Sequence, residues 1–568
     1  MKVVIVGGVA GGATAAARIR RLDEKAEIKV FEKSGFVSYA NCGLPYYIGG
    51  VIEDPEELTL QSPESFYERF RIDVKVNHEV MAIHPKDKNV VVKNLETGEE
   101  WEESYDKLLL SPGAKPIIPD MPGTELPEVF SLRTVEDTFA IRNFVDNEKP
   151  KTAIISGGGF IGLEVAENLV EQGVKVTIVQ MDKQVMSPLD PEMASFIHGE
   201  LRNAGVELVL ENTLTEIGYG EKGDKKKLLC KLQTGETLEA DMAILAIGVL
   251  PENKLAKEAG LDLGMKGAIV VNDRLETSAK DVYAVGDAIQ VKQYTTGKDA
   301  VISLAGPANK QGRIAADNIC GLDSRFEGSQ GSSVIKLFNL TIASTGINEK
   351  IAAFEGLNYD KIYLSPTNHA GYYPGGKLMT MKVLFDPKED KLLGAQIVGY
   401  DGVDKRIDVL ATAMHAKVPA SKLKELDLAY APPYSSAKDP VNMAGFMIEN
   451  IEEGRVKQFF FDDVAELPKD GSVTLLDART EEEYEEGHAE GFINIPVDEL
   501  RERMEEIPKE KPLYVMCQSG LRSYVACRIL MQEGYDAYNF AGGYRLYEAI
   551  ATDKAMAQQA YPCGMDRK

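Results

Sequence analysis

Two cysteines carry the most pointed chemistry in this sequence. Cys42 stands in the stretch Ser38-Tyr39-Ala40-Asn41-Cys42-Gly43-Leu44-Pro45, and no second cysteine follows until Cys230. Thiol–disulfide exchange needs a partner sulfur, and the neighbourhood of Cys42 supplies none. Cys517 has a different setting. It ends the apolar run "LYVM" and opens a loop that leads into the helix "RSYVACRILMQEG". Backbone N–H groups in such a loop converge on the sulfur, and a helix N-terminus behind them favours a thiolate or an anionic persulfide. Arg522, in the C-x4-R-S pattern, adds positive charge. Cys527 lies two turns further along that helix and reads as a buried structural residue, as do Cys230 in a strand and Cys320 in a helix. Cys563 falls in a polar tail, and no role is assigned to it.

These thiols need a scaffold, and the glycines describe one. "KVVIV" reads as a strand, Gly7 to Gly12 as a glycine-rich turn, "ATAAARIRRL" as a helix and "EIKVFE" as a second strand. That order turns a glycine pattern into a dinucleotide-binding prediction, because Gly7, Gly8, Gly11 and Gly12 let backbone approach a pyrophosphate at a helix N-terminus. Val9 takes the place of the usual second motif glycine and precedes Ala10. Glu32 ends the second strand, 20 residues after Gly12, where a carboxylate accepts ribose hydroxyls; Lys33 follows it. The same order recurs in "TAIISGGGFIGLEVAENLVEQGVKVTIVQ" with Gly157-x-Gly159-x-x-Gly162, so Phe160 and Ile161 open a second such helix. Its strand ends at Gln180 rather than at an acid, which leaves NADH versus NADPH open with a lean to NADH. Buried strands ending at the turns Ser111-Pro112-Gly113, Gly248 and Gly286-Asp287 complete the two candidate cofactor sites.

Composition sets the outer limits. A chain of 568 residues exceeds one core, so several domains are expected. A net charge of −25 argues against nucleic-acid binding as the main activity, yet leaves room for a local basic pocket. Six cysteines without paired spacing indicate reduced thiols rather than a disulfide framework. The opening "MKVVIVGG" enters a strand at once, and no signal or membrane-spanning run is read, so a cytoplasmic protein is expected. No metal site is assigned.

The order of two glycine motifs followed by "TSAKDVYAVGDA" resembles the pyridine nucleotide-disulfide oxidoreductase family over about residues 1–447. "LLDARTEEEYEEGHAEGFINIP" with "CQSGLRSYVACRILMQEGYDAYNFAGGY" resembles the rhodanese family over about 459–555. The resemblance implies an α/β architecture. FAD-binding parts span 1–115 and 249–326, an NAD(P)-binding domain 116–248, and an α+β dimerisation domain 327–447. A linker at 448–458 leads to an α/β rhodanese domain at 459–555 and a tail at 556–568. It also implies FAD and NADH or NADPH as cofactors, and a homodimer whose active site is shared across subunits.

Most members of that family pair two cysteines in C-x4-C spacing; Cys42 matches the single-cysteine branch. That branch includes coenzyme A disulfide reductases, persulfide reductases, and NADH oxidases and peroxidases. The peroxidases carry a His where Ala10 stands. "GGVAGGATAAARIRRLDE", "SYANCGLPYYIGG", "HAGYYPG" and "YAPPYSSAKDPVNM" are similar to the coenzyme A disulfide reductases. By that similarity Tyr430 and Tyr372 reach Cys42 from the other subunit. Arg18, Arg21, Ser38, Asn41 and Lys438 contact the coenzyme A nucleotide, and Arg71 lies near another contact position. Phe70 occupies the family's lysine place. The expected activity is therefore NAD(P)H-dependent, flavin-mediated reduction of coenzyme A disulfide, coenzyme A persulfide or polysulfide at Cys42, fused to a sulfurtransferase at Cys517. An oxidase or peroxidase cycling Cys42 through a sulfenic acid is the alternative.

Overall fold

The computed structural model describes residues 1–220 and 227–559; Cys563 lies outside them. The chain divides into two compact units, residues 1–183 with 205–331, and residues 184–204 with 332–568.

The first unit contains the same architecture twice. Strand Lys2–Val6 lies between Glu27–Phe31 and Lys107–Leu110, with Asp73–Lys75 and Val282–Ala284 outside them, all parallel. Strand Thr152–Ser156 lies between Lys175–Val179 and Met242–Leu245, with Glu207–Val209 and Val129–Phe130 outside, again all parallel. Val3, Val4, Ile5, Leu108 and Leu109 are fully buried, as unbroken apolar strands covered on both faces must be. A three-stranded antiparallel meander accompanies each sheet, at His78–Ser104 and at Leu214–Ala240.

Each glycine turn is enforced by close backbone approach. A Cβ at Gly12 would lie 1.9 Å from the Gly7 carbonyl oxygen, and one at Gly162 would lie 2.0 Å from that of Gly157. Helix Ala10–Leu22 packs on helix Ala305–Ile319 at the same limit, since a Cβ at Gly312 would meet the Gly11 oxygen at 2.4 Å.

The second unit carries two sheets. One is antiparallel, in the order Ser333–Leu337, Leu340–Gly346, Lys391–Gly399, Met379–Asp386, Asp360–Leu364, and is packed by helices Val403–His415 and Pro440–Glu452. The other is parallel, in the order Gln458–Phe459, Ala537–Phe540, Leu513–Met516, Thr474–Asp477, Ile493–Asn494. The stretch expected as a linker begins within helix Pro440–Glu452 and ends in strand Gln458–Phe459. Helix Gly543–Gln559 runs into the stretch expected as a tail.

Helix Pro191–Asn203 belongs with the second unit, although in sequence it follows the second glycine motif. Lys382, fully buried, donates to Asp190 at 2.6 Å and also reaches Glu349 at 2.6 Å and Glu192. His198 Nδ1 and Arg202 meet opposite oxygens of Asp553 at 2.8 and 2.7 Å.

Candidate functional site

In the first sheet, Gly8 N–H donates to Glu32 at 2.8 Å, and Ser34 N–H donates to the other oxygen of that carboxylate at 2.9 Å. Burial drives the Glu32 pKa up despite these bonds. In the second sheet, Gly158 N–H donates to Gln180 Oε1 at 2.8 Å. Glu32 and Gln180 thus occupy equivalent places at the two glycine turns. The carboxylate offers only acceptors, whereas the amide still has two N–H donors.

Both turns fit a pyrophosphate. Gly7 and Gly157 adopt positive φ of 92° and 109°, open to glycine at no steric cost. A Cβ at Gly159 would meet no protein atom within 4 Å, so the fold itself does not demand glycine there; a close-lying ligand would. Val9 and Gly159 take the N-cap positions of the two helices, ahead of Ala10 and of Phe160-Ile161. Ser111 backs the first turn, because a Cβ at Gly7 would fall 2.1 Å from its carbonyl oxygen. Pro112 and Gly113 continue that turn, and Gly113, like Gly248 and Gly286, has positive φ. Gly286 N–H donates to buried Gln311 at 2.7 Å. Asp287 is held by Arg133 at 2.9 Å. Lys33 is exposed.

Cys42 lies in the short turn Asn41–Gly43, just before helix Leu44–Ile48. That helix packs on Phe160–Glu171 of the second motif, where a Cβ at Gly49 would fall 1.9 Å from the Asn168 side chain. Gln172 adds a hydrogen bond to the Gly49 carbonyl at 2.5 Å. Cys42 is the one exposed thiol among the described residues. The protein wall behind it still desolvates the sulfur and pushes its pKa up; the Glu164 and Asp287 carboxylates add to this, and Arg133 opposes it. Burial and Glu167 raise Glu164 itself to about 7. The surroundings of Cys42 thus disfavour its thiolate.

The candidate carrier contacts divide into two groups. Arg18 is ion-paired to Asp317 at 2.7 Å, while Arg21 is exposed on the next turn. Arg71 is exposed with φ of 50°, and its guanidinium donates to the Tyr67 carbonyl. Arg20, which sequence reading passed over, donates to the carbonyls of Phe70 and Arg71 at 2.6 and 2.9 Å. It thereby draws the Arg71 turn to the helix that bears Arg18 and Arg21. Ser38 has φ of 49°, the left-handed region, and links the loop to Gly8 by an N–H bond to its carbonyl at 2.9 Å. Asn41 is half-buried beside Cys42. In the second unit Lys438 is exposed just ahead of Asp439. The Tyr372 and Tyr430 hydroxyls lie 2.6 Å apart, and both rings are exposed. Buried Arg406 bridges Asn368, Ser435 and Asp439 and so fixes the loops on which the two tyrosines stand.

Around Cys517 a loop N–H group and a side-chain hydroxyl converge on the sulfur. Gly520, with φ of 92°, points its N–H at Cys517 Sγ at 3.2 Å, and Ser523 Oγ donates at 3.1 Å. Gly543 backs the loop, since a Cβ there would lie 2.6 Å from the Cys517 carbonyl oxygen. Tyr544 N–H donates to that same oxygen at 2.7 Å. Arg479 is clamped on Asp477 at 2.8 Å, reaches Gln518 and the Gly487 carbonyl, and stacks 4.0 Å over Tyr544. Arg522 turns to Glu483 with two bonds of 2.6 and 2.7 Å, which hold the Glu483 pKa down at about 2. Glu483 carried no signal in the sequence, because helix Glu481–Glu486 is glutamate-rich throughout.

Two glycine-turn dinucleotide folds, with a cysteine in the turn just ahead of the helix Leu44–Ile48, define a flavin- and pyridine-nucleotide-dependent sulfur oxidoreductase. The chain belongs to the pyridine nucleotide-disulphide oxidoreductase family. That family's model matches residues 1–312, its dimerisation domain matches 332–440, and a rhodanese-like domain matches 461–550. It is 38% identical over 451 residues to the coenzyme A disulfide reductase of Staphylococcus haemolyticus strain JCSC1435, covering 79% of this chain and all of the relative. It superposes on reduced Bacillus anthracis CoADR-RHD with TM-score 0.94 at 47% identity, over 97% of this chain and 98% of that one. It superposes on a NAD-dependent persulfide reductase from A. fulgidus with TM-score 0.90 at 36% identity, over 96% and 100%. No helix among the described residues is long and apolar enough to cross a membrane.

Proposed function

We propose that the chain reduces sulfur–sulfur bonds carried by coenzyme A, with Cys42 as the thiol that takes and releases the sulfur. The observation that carries this reading is that Cys42 is exposed and has no cysteine beside it. Its disulfide partner must then arrive on the substrate.

The Gly7 turn with Glu32 would hold FAD and the Gly157 turn with Gln180 a nicotinamide cofactor, which together would supply the electron pair. The Cys42 thiolate attacks one sulfur of coenzyme A disulfide, forming a Cys42 mixed disulfide and expelling coenzyme A thiolate. Two electrons and a proton then restore the Cys42 thiolate and free the second coenzyme A thiol. With a coenzyme A persulfide or a polysulfide the thiolate attacks the outer sulfur, its S–S bond breaks, and coenzyme A thiolate or the shortened polysulfide leaves. Cys42 then carries a persulfide, and its reduction releases hydrogen sulfide.

Arg18, Arg21 and Arg71 of one subunit, with Lys438, supply positive charge to the carrier's phosphates on a chain that is otherwise acidic. Ser38 and Asn41 place the carrier's thiol end. Tyr372 and Tyr430 donate to the sulfur at Cys42 of the partner subunit, so the working form is a homodimer, acting in the cytoplasm. Cys517 exchanges sulfane sulfur with the carrier.

An NADH- and NADPH-oxidation panel over coenzyme A disulfide, coenzyme A persulfide, polysulfide, peroxide and oxygen tests this. Wild type is expected to turn over fastest with the coenzyme A substrates, and Cys42→Ser to lose that turnover. Faster oxidation with oxygen or peroxide would overturn the reading in favour of an oxidase.

A further inference from the structure

The surroundings of Cys517 are electrostatically closed to dianions. Two arginine side chains approach the loop, and each is already committed to a carboxylate: Arg522 to Glu483 by two bonds, and Arg479 to buried Asp477, whereas Arg545 meets the loop through its backbone N–H at the Gln518 carbonyl and lays its guanidinium over Phe196. The two ion pairs sum to zero charge. Beyond them, helix Glu481–Glu486 places Glu481, Glu482, Glu485 and Glu486 at the surface, with Glu490 exposed nearby. On the helix that follows the loop, Leu521 and Val525 are exposed one turn apart, so that side of the rim is apolar. The sulfur itself is buried, and its two donors, Gly520 N–H and Ser523 Oγ–H, suffice for one negative charge. Taking a doubly charged group to a buried position without a free cation carries a large desolvation cost.

We infer that Cys517 takes sulfane sulfur from the persulfide of an organic thiol, and discriminates against thiosulfate, because Glu483 neutralises Arg522. This rests on the proposed sulfurtransferase role of Cys517 and adds its donor class. In the favoured step the Cys517 thiolate attacks the outer sulfur of R–S–S–H. A bond forms between Cys517 Sγ and that sulfur, the R–S–S bond breaks, and R–S⁻ leaves while the proton stays on the transferred sulfur. No outside oxidant or reductant is needed. The pantetheine end of coenzyme A meets the requirement, since its phosphates are remote from the sulfur. Thiosulfate must instead bring a sulfonate directly beside the transferred atom.

The test is the rate at which the Cys517 peptide gains one sulfur atom by mass spectrometry, in the flavin-loaded full chain bearing Cys42→Ser. Pantetheine persulfide and thiosulfate are compared at equal concentration. The persulfide is expected to load on the order of tenfold faster or more, from charge alone. Added salt is expected to speed thiosulfate loading by screening the acidic rim and to change persulfide loading less than about twofold. Glu483→Gln frees Arg522 and is expected to raise thiosulfate loading on the order of tenfold. Equal loading of the two donors in the parent protein, or a thiosulfate rate unmoved by both salt and Glu483→Gln, overturns the inference and leaves the sulfurtransferase reading standing. Loading by neither donor overturns both.

Discussion

The hydroxyls of Tyr372 and Tyr430 lie 2.6 Å apart, both on exposed rings of one subunit. Either oxygen can donate in this bond. With Tyr372 as the donor, the arrangement proposed here, Tyr430 keeps its own O–H to donate onward, polarised by the bond it accepts.

This asymmetry predicts unequal mutants. Tyr430→Phe removes the outward donor and is expected to lower kcat with coenzyme A disulfide about 10- to 100-fold, the worth of one hydrogen bond to a charged sulfur. KM should change little. Tyr372→Phe should cost less, and the double mutant should cost no more than Tyr430→Phe alone. Steady-state kinetics of the three variants check this; additive losses would show that the pair does not act as one unit.

Glu164 predicts a pH signature at Cys42. Its pKa of about 7 means that its carboxylate is neutral in mild acid and charged above that value, where it opposes thiolate formation at Cys42. Glu164→Gln should speed alkylation of Cys42 by iodoacetamide at pH 8 by roughly two- to fivefold. At pH 6 the variant and the parent should react alike. A rate ratio independent of pH would exclude the coupling.

Lys382 predicts a stability defect of definite sign. Lys382→Met would leave Asp190, Glu192 and Glu349 facing one another without their cation. The cost expected is about 3–5 kcal/mol at neutral pH, the usual penalty for breaking a buried pair. Without the lysine, burial carries the folded-state pKa values of Asp190 and Glu192 above their unfolded values. Their protonated forms are then tolerated in acid, and stability falls as the pH climbs through the raised values. Thermal melts from pH 5 to 8 should therefore show the gap to wild type widening with pH.

Gln180 predicts nicotinamide tolerance. Its side-chain N–H groups can donate to either a ribose hydroxyl or a 2′-phosphate, whereas a carboxylate would repel the phosphate. Gln180→Glu, which copies Glu32, should lower kcat/KM for NADPH on the order of tenfold or more and leave NADH nearly unchanged. Paired NADH and NADPH kinetics check it.

The parts of this molecule that are local in sequence were legible before the structure. Strand, glycine turn and helix follow in order at Gly7 and again at Gly157, because each turn is defined by contacts within a few residues and by positive φ that glycine alone accepts freely. The Cys517 loop was legible for the same reason: its donors Gly520 and Ser523 lie three and six residues away. The pairings that set charge were not. Arg18 meets Asp317, Arg133 meets Asp287, and Arg522 meets Glu483, each across a long loop of chain. Every partner is one acid among many in an acidic sequence. Nor was the buried pairing of Lys382 with Asp190 and Glu192 at the start of helix Pro191–Asn203, far away along the chain.

The central claim is that the second sulfur comes on the carrier and bonds to Cys42. The most direct test mixes flavin-loaded protein, its cysteines reduced, its flavin oxidised and NAD(P)H removed, with one equivalent of coenzyme A disulfide, quenches it with an alkylating agent, and maps the cysteines by peptide mass spectrometry. The account predicts coenzyme A in disulfide linkage on the Cys42 peptide, formed as fast as turnover or faster and absent from Cys230, Cys320 and Cys527. Turnover of coenzyme A disulfide with the Cys42 peptide recovered only in its alkylated form would contradict it.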